Sequence, residues 1–386
     1  MIDPLELEEL VVKCMKCGLC KPACPVFKEV GVESALARGK VRLIKGALRK
    51  EIPLTRALAD RIYMCLGCRQ CFTACPSGVR TDEIVLAARS EFADRIGLPQ
   101  TMAALRDNVY RSGNIRGEEK AHRTLWTDTL PRETLERAKH AAPEVVYFAG
   151  CVASLYPMVY GIPQAFVTLL NKAGVSFQMM GEEEECCGFP LIAAGAVERI
   201  KDIASHNVMS IESRAPKTLV TTCPSCYHTW KEEYPRLIGR ELNFEVLHST
   251  QYLERLISEG RLKLGHVDMT VTYHDPCDLG RKSGIFDPPR NVLKALPGLK
   301  LVELPSSGVS SVCCGGGGNL EMTFPAVQSK IAQRKIRDVL STGAKTVVSA
   351  CQQCKRTIST ASRSMKAGVK VLDITELVLR SVEAEG

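Results

Sequence analysis

The chain lacks any apolar run long enough to cross a bilayer. The uncharged apolar stretch FPLIAAGAV, from Phe189 to Val197, is about half of the roughly 20 residues that a membrane helix needs. Aromatic residues are scarce at 5%, and no long block of like charges interrupts the sequence. With a net charge of only +8, neither a basic stripe nor a stacking platform is present, which excludes nucleic-acid binding. The N-terminal MIDPLELEEL has neither the basic nor the apolar region of a secretory signal. Disorder is excluded as well, because 45% hydrophobic and 24% charged residues is ordinary globular composition. These absences predict a cytoplasmic protein with no transmembrane segment of its own, either free or held at the inner face of a membrane only through partners. At 386 residues, two or three domains are expected.

Cysteine is what the chain has in abundance. Eighteen cysteines without a secretory signal argue against a disulfide scaffold and for metal. They sort into four groups with none left over. The first two are CMKCGLCKPACP (Cys14, Cys17, Cys20, Cys24) and CLGCRQCFTACP (Cys65, Cys68, Cys71, Cys75). The third is Cys151, the pair Cys186–Cys187, and Cys223 with Cys226; the fourth is Cys277, the pair Cys313–Cys314, and Cys351 with Cys354. The last two repeat one another: corresponding cysteines are offset by 126 to 128 residues, so a domain has been duplicated.

Hydrophobic patterning places these groups on elements. ALARGKVRLIKGALRK reads as a helix with Leu36, Leu43, Ile44 and Ala47 on one side and Arg38, Arg42, Lys45 and Arg49 on another. TDEIVLAARSEFADRI reads as a second amphipathic helix, capped by Thr81 and acidic in its first turn. Residues 112–143 read as a connector with at most one short helix. Strand–helix alternation follows, with strands EVVYFAG, TLVTT, MTVTYHDP and TVVSA running into Cys151, Cys223, Cys277 and Cys351. The expected fold is α/β: an all-helical two-cluster ferredoxin-like domain (1–111), a linker (112–143), and two pseudo-symmetric α/β domains (144–262 and 263–386), each built around a Cys-Cys-Gly (CCG) motif. The paired thiols would sit past the C-terminal ends of parallel strands, where open α/β sheets place their sites.

The two N-terminal runs match C-x-x-C-x-x-C-x-x-x-C-P, the pattern for 4Fe–4S cubes. Three cysteines at i, i+3 and i+6 let one tight loop hold three irons of a cube, and the cysteine before proline ligates the other cluster. The spacing therefore assigns Cys14, Cys17, Cys20 and Cys75 to one cubane, and Cys65, Cys68, Cys71 and Cys24 to the other. Gly18 and Gly67 permit the turns. Structural zinc is the competing reading, but its four-cysteine sites favour two C-x-x-C pairs over runs of three. Cys24 and Cys65 are 41 positions apart, too far for a compact hairpin ferredoxin, so a helical module is expected.

Each C-terminal group offers five thiols. Adjacent cysteines do not comfortably ligate one iron, but they can bridge or ligate neighbouring irons, as a cluster less symmetric than a cube would need. Zinc with a spare thiol, or a disulfide between Cys186 and Cys187, competes with this. The recurrence of the pattern, with glycine after both pairs, favours a cluster.

Taken together, the paired C-x-x-C-x-x-C-x-x-x-C-P motifs and two CCG domains resemble a superfamily from Cys14 to Cys354. It comprises the D subunits of heterodisulfide reductases and the iron–sulfur subunits of glycolate oxidases. The resemblance implies electron transfer through two cubane clusters to the CCG domains, with a non-cubane 4Fe–4S cluster on each five-cysteine set. It also implies partners: a flavoprotein dehydrogenase or other electron-transfer subunit, or a membrane or quinone-linked subunit. The N-terminal module is most similar to the iron–sulfur partners of 2-hydroxyacid-oxidising flavoproteins. The intact ten-cysteine set resembles the catalytic heterodisulfide reductase subunit, which reduces a disulfide to two thiols.

The duplicated domains are unequal. His274–Asp275 stands where the first copy has Phe148–Ala149, and Gly315, Gly316 and Gly317 face Gly188, Phe189 and Pro190. Glycines let backbone and ligand approach, so the second site is expected to be the more open and these glycines to contact the cofactor; a tight turn into a following helix is the alternative. The glycine run lacks dinucleotide spacing. His274 is a candidate catalytic residue as a proton or hydrogen-bond donor. Arg281, with Lys282, is a candidate for holding an anionic substrate or acidic partner. His228 has a weaker claim against a surface helix position, and Glu182–Glu185 reads as a solvated loop.

Overall fold

A computed structural model describes residues 4–138 and 143–385. Residues 139–142 of the connector lie outside the described residues. Before Val145 the described chain is helical, led by Pro4–Val12, Ala37–Leu48, Arg56–Tyr63, Thr81–Ile96 and Gln100–Ser112. Their apolar faces make one core: Leu7 and Leu10 meet Val41, Ile44, Ile62, Ile84, Phe92 and Met102. Thr81 is not a cap. Arg80 holds that position without a side-chain bond, and Thr81 lies buried in the first turn beside the acidic Asp82 and Glu83. The connector carries two short helical pieces rather than one, a 3-10 helix at Lys120–Thr127 and an α-helix at Arg132–Arg137.

The rest forms two four-stranded sheets of identical topology. Strands β1 (Val145–Phe148), β2 (Phe177–Met179), β3 (Thr218–Thr221) and β4 (Glu245–His248) lie in the order β2-β1-β3-β4. Strands β5 (Met269–His274), β6 (Leu299–Glu303), β7 (Thr346–Ser349) and β8 (Lys370–Asp373) lie in the order β6-β5-β7-β8. All pairs are parallel, and the β-branched, wholly buried strands β1, β3 and β7 suit the middle of covered sheets. The order reverses between β1 and β3, and between β5 and β7. Strand ends at such a reversal leave a crevice, and each sheet there delivers its first cysteine and its C-x-x-C pair.

Each copy's last helix packs on the other copy: Ser249–Ser258 on Asp287–Ala295, and Ile374–Glu385 on Gly161–Lys172. One continuous apolar cluster therefore runs through both. Arg89, 1% exposed, ties all three parts together: its guanidinium donates to the carbonyls of Ile62, Tyr63 and Cys65, and to Ala193 and Gly318. Among the described residues no helix is long and apolar enough to cross a membrane.

Candidate metal centres

The two N-terminal cysteine loops share one conformation. The residues flanking the central cysteine both have positive φ: Lys16 (60°) and Gly18 (88°) around Cys17, Gly67 (62°) and Arg69 (58°) around Cys68. Glycine meets this demand at only one position per loop. Arg69 is held there by Asp82 at 2.6 Å and Glu83 at 2.9 Å, and the Lys16 carbonyl accepts from Arg38 at 3.0 Å.

The helices between the loops cross the sets over. One pocket is lined by Cys24, Cys65, Cys68 and Cys71; the other by Cys14, Cys17, Cys20 and Cys75, with Cys71 at its edge. Each encloses roughly 400 Å³ including its mouth. The proline-flanked cysteines are oriented by backbone N–H groups, Phe27 to Cys24 Sγ and Val79 to Cys75 Sγ, both at 3.4 Å. Burial pushes the Cys24 thiol up to about 11 and Cys71 well above its usual range. Bare thiolates are disfavoured at those two cysteines, and each set of four sulfurs lining one pocket, with only Cys17 exposed, fits a cationic metal group that pays for their ionisation.

The ten CCG thiols are all buried and free. Cys151 sits in the first turn of helix Gly150–Leu155, and Cys223 and Cys351 stand at the N-caps of the helices that follow β3 and β7. Cys314 and Cys354 Sγ are 3.2 Å apart, and Cys277 and Cys313 Sγ 4.0 Å. Backbone N–H groups after each pair donate to sulfur at 3.4 Å: Gly188 to Cys186, Gly315 to Cys313, and Gly316 to Cys314. Ten convergent buried sulfurs with such donors fit metal–sulfur groups in both copies.

The neighbouring polar residues depart from the sequence expectations in several places. His274 is fully buried, lies within 4.8 Å of the Cys314 and Cys354 sulfurs, and neither ring nitrogen has a hydrogen-bond partner. Arg281 is largely committed within the chain: Nε and Nη1 donate to the carbonyls of Cys68 (2.6 Å), Val309 (3.2 Å) and Ser311, and Nη2 is buried without a partner. Lys282 is paired with Asp278 at 2.8 Å. His228 is not a surface position; it is largely buried between Ser283 and Glu233, and burial pulls its pKa down to about 4.

Nor is Glu182–Glu185 wholly solvated. Glu184 is 2% exposed and accepts from the Ala149 and Gly150 N–H groups and from Arg123. Sequence patterning missed Arg123, which the connector buries against Cys151. No local signal marks it, because its burial depends on what folds over it.

The second CCG site is not the more open one. Its cysteines are 2–9% exposed against 1–8% in the first. Its glycines serve contact within the chain: a Cβ on Gly317 would come 2.8 Å from the Leu66 carbonyl oxygen, and one on Gly318 2.3 Å from that of Cys65. The run also enters a helix, Leu320–Thr323, so the tight-turn alternative describes it better than substrate access.

That contact sets the order of the sites. Cys68 of the second loop shares one buried cluster with Cys277 and Cys313, and the neighbouring Cys313 thiol pulls the Cys68 thiol down to about 6. The two copies then interlock through their C-x-x-C turns. Ser225 donates to Asp278 at 2.6 Å, and buried Gln352 bonds Ala149, Ala153 and Thr222.

These sites define a class, an iron–sulfur oxidoreductase component with a two-cluster helical module and tandem cysteine-rich domains. Residues 11–79 match the 4Fe-4S dicluster domain family, and residues 145–231 and 271–359 each match the cysteine-rich (CCG) domain family. The chain is 34% identical to the D subunit of the dihydromethanophenazine:CoB–CoM heterodisulfide reductase of Methanosarcina barkeri, over 96% of this chain and 93% of that one. It is 30% identical to the EtfAB:quinone oxidoreductase of Syntrophomonas wolfei, over 99% of this chain and 59% of that one. A crystal structure of a hypothetical protein from Helicobacter pylori shares the fold, with a TM-score of 0.54, 9% identity, and coverage of 89% and 68%. The chain belongs to the family of heterodisulfide reductase D subunits.

Proposed function

We propose that this protein relays electrons between a flavoprotein dehydrogenase or quinone-linked partner and its paired CCG sites. In this reading Cys14, Cys17, Cys20 and Cys75 hold one cubane 4Fe–4S cluster, and Cys24, Cys65, Cys68 and Cys71 the other. Cys151, Cys186, Cys187, Cys223 and Cys226 hold one non-cubane cluster, and Cys277, Cys313, Cys314, Cys351 and Cys354 a second. When bound, such clusters supply one-electron transfer. The chain's own residues bury the ten CCG sulfurs, fix the spacing of all eighteen and set the surrounding charge.

The observation that carries the reading is the packing of the second loop on the second CCG site, where Cys68 shares a buried cluster with Cys277 and Cys313 and its carbonyl accepts from Arg281 at 2.6 Å. The test is Cys24→Ser in the anaerobic full-length protein. Reduction of the CCG sites by a reduced flavoprotein donor is expected to slow sharply, while direct reduction by dithionite persists. Unchanged transfer from the donor would defeat the relay.

A second reading is catalysis, in which RS–SR′ plus two electrons and two protons gives RSH and R′SH at the CCG sites. It is favoured by the intact ten-thiol set and by the similarity to heterodisulfide reductase subunits. Thiol release at two per electron pair from a disulfide substrate would establish it; none under electron supply would exclude it.

A further inference from the structure

The first cysteine of each five-thiol set faces an opposite charge. At Cys151 the neighbour is a cation: Arg123 Nη2 lies 3.2 Å from Sγ and also bonds the Gly113 carbonyl at 2.9 Å. Nη1 holds Glu184 at 2.8 Å, and Glu184 takes two further bonds from the Ala149 and Gly150 N–H groups at 2.8 and 2.9 Å. Both residues are buried, Arg123 at 1% and Glu184 at 2% exposure. The anion thus stands one guanidinium away from the sulfur, and backbone dipoles share its charge.

At Cys277 the near neighbour is a carboxylate. Asp278 Oδ1 lies 3.9 Å from Sγ, and the buried Lys282, bound to that same oxygen at 2.8 Å, is within electrostatic reach of Cys277 but, unlike Arg123 at Cys151, has no hydrogen bond to the thiol among the described residues. Asp278 is also within electrostatic reach of Cys223. In place of Glu184 the second copy has Ser311, and in place of Phe148 it has His274 beside Cys314 and Cys354.

Reduction adds negative charge to a site. A buried cation bonded to a ligand sulfur favours the reduced form, because water does not screen it and the protein has already oriented it. We propose that Arg123 is a positioning and charge-compensating residue of the first CCG site, holding it at a higher reduction potential than the second. Electrons that reach the second site from the Cys68 loop would then pass downhill to the first, which becomes the accepting end. The proposal rests on the iron–sulfur relay above and adds to it a residue and a direction.

The experiment is a redox titration of the anaerobic full-length protein, followed by electron paramagnetic resonance, with Cys226→Ser identifying the first-site signal. In wild type the first site is expected at the higher potential. In Arg123→Gln/Glu184→Gln, iron and sulfide are expected to stay while the first-site reduction equilibrium falls about tenfold, or ~59 mV for one electron. The second-site signal should not move, and Arg123→Lys, which keeps the charge, should stay near wild type. A first-site midpoint unmoved in the double variant, or below the second in wild type, overturns the proposal. If the double variant loses first-site iron, Glu184→Gln decides, because it keeps the cation: a rise in potential supports the proposal, and no shift or a fall overturns it. Wild-type protein without iron in its CCG domains would remove the iron–sulfur reading itself.

Discussion

The two CCG copies share strand order, register and thiol spacing, yet they meet the helical module in different ways. Aligned on the cysteine pairs, Gly188 and Gly315 both have positive φ, 85° and 97°. After them the first copy has Phe189, Pro190 and Leu191, which open a helix whose side chains pack on Thr81–Ile96. The second has Gly316, Gly317 and Gly318, the last two of which bring bare backbone against Cys65 and Leu66. Duplication preserved what holds the thiols and changed what the thiols are next to. Divergence between the copies therefore reports neighbours rather than fold.

The largest expected effect tests that contact. Gly318→Ala would force a Cβ to within 2.3 Å of the Cys65 oxygen, at a φ of 60° that already disfavours alanine. It should cost about 2–4 kcal/mol and loosen the module from the second copy, read by thermal unfolding and limited proteolysis. Phe189→Leu in the first copy conserves apolar character and should cost less than ~1.5 kcal/mol. Equal costs would break the distinction between backbone and side-chain docking. Gly316→Leu lies between them, because its Cβ would meet the movable side chains of Gln353 and Thr357 at 2.8 Å.

Next comes the interlock. Gln352→Ala would leave the Ala153 N–H and the Ala149 carbonyl without a partner inside the other copy, at a cost of about 2–3 kcal/mol. Ser225→Ala removes one bond to Asp278, which keeps Lys282, and should cost about 1 kcal/mol. Chemical denaturation of both variants checks the order; a larger loss from Ser225→Ala would refute it.

The cysteine sets give a sharper, all-or-none test. Anaerobic protein should carry about 16 iron, four per site. Cys24→Ser should remove the spectroscopic signal of the Cys65 set and spare that of the Cys14 set. Loss at the Cys14 set would contradict the crossover.

The smallest effect compares His248 and Asp373, which end β4 and β8 and accept the N–H of Thr250 and Thr375. Burial pulls His248 down to about 3 from its ordinary 6.5 and lifts Asp373 from 3.8 to about 7. Between pH 3 and 6.5 the unfolded chain binds more protons at His248, so stability there rises with pH. Between pH 4 and 7 the folded chain binds more at Asp373, so its contribution falls as pH rises. Asn at either position should tilt the variant-minus-wild-type curve of melting temperature against pH in opposite directions; parallel tilts would show that one direction is misassigned.

Much of this was legible in advance because cysteine spacing encodes geometry directly. The two C-x-x-C-x-x-C-x-x-x-C-P runs, the duplication and the strands leading into Cys151, Cys223, Cys277 and Cys351 follow from periods and offsets along one chain. Arg89, Arg123 and Glu184 were illegible for the opposite reason. A charged residue reads as solvated until something folds over it, and Arg89, lying in an amphipathic helix, gives no sign that five carbonyls from three parts of the molecule converge on it. Arg281 behaves in the same way, two of its nitrogens being engaged by the Cys68, Val309 and Ser311 carbonyls of distant segments.

By itself the sequence determined how the cysteines group along the chain, that two α/β copies carry ten of them, and that a helical module carries eight. Ligand spacing and hydrophobic period are local properties, and local geometry suffices to read them. Only the tertiary structure decided which copy adjoins the Cys65 loop, which glycines serve packing, and which buried charge touches which thiol. Those depend on surfaces brought together from more than 100 residues apart, where desolvation rather than sequence pattern sets what each residue does.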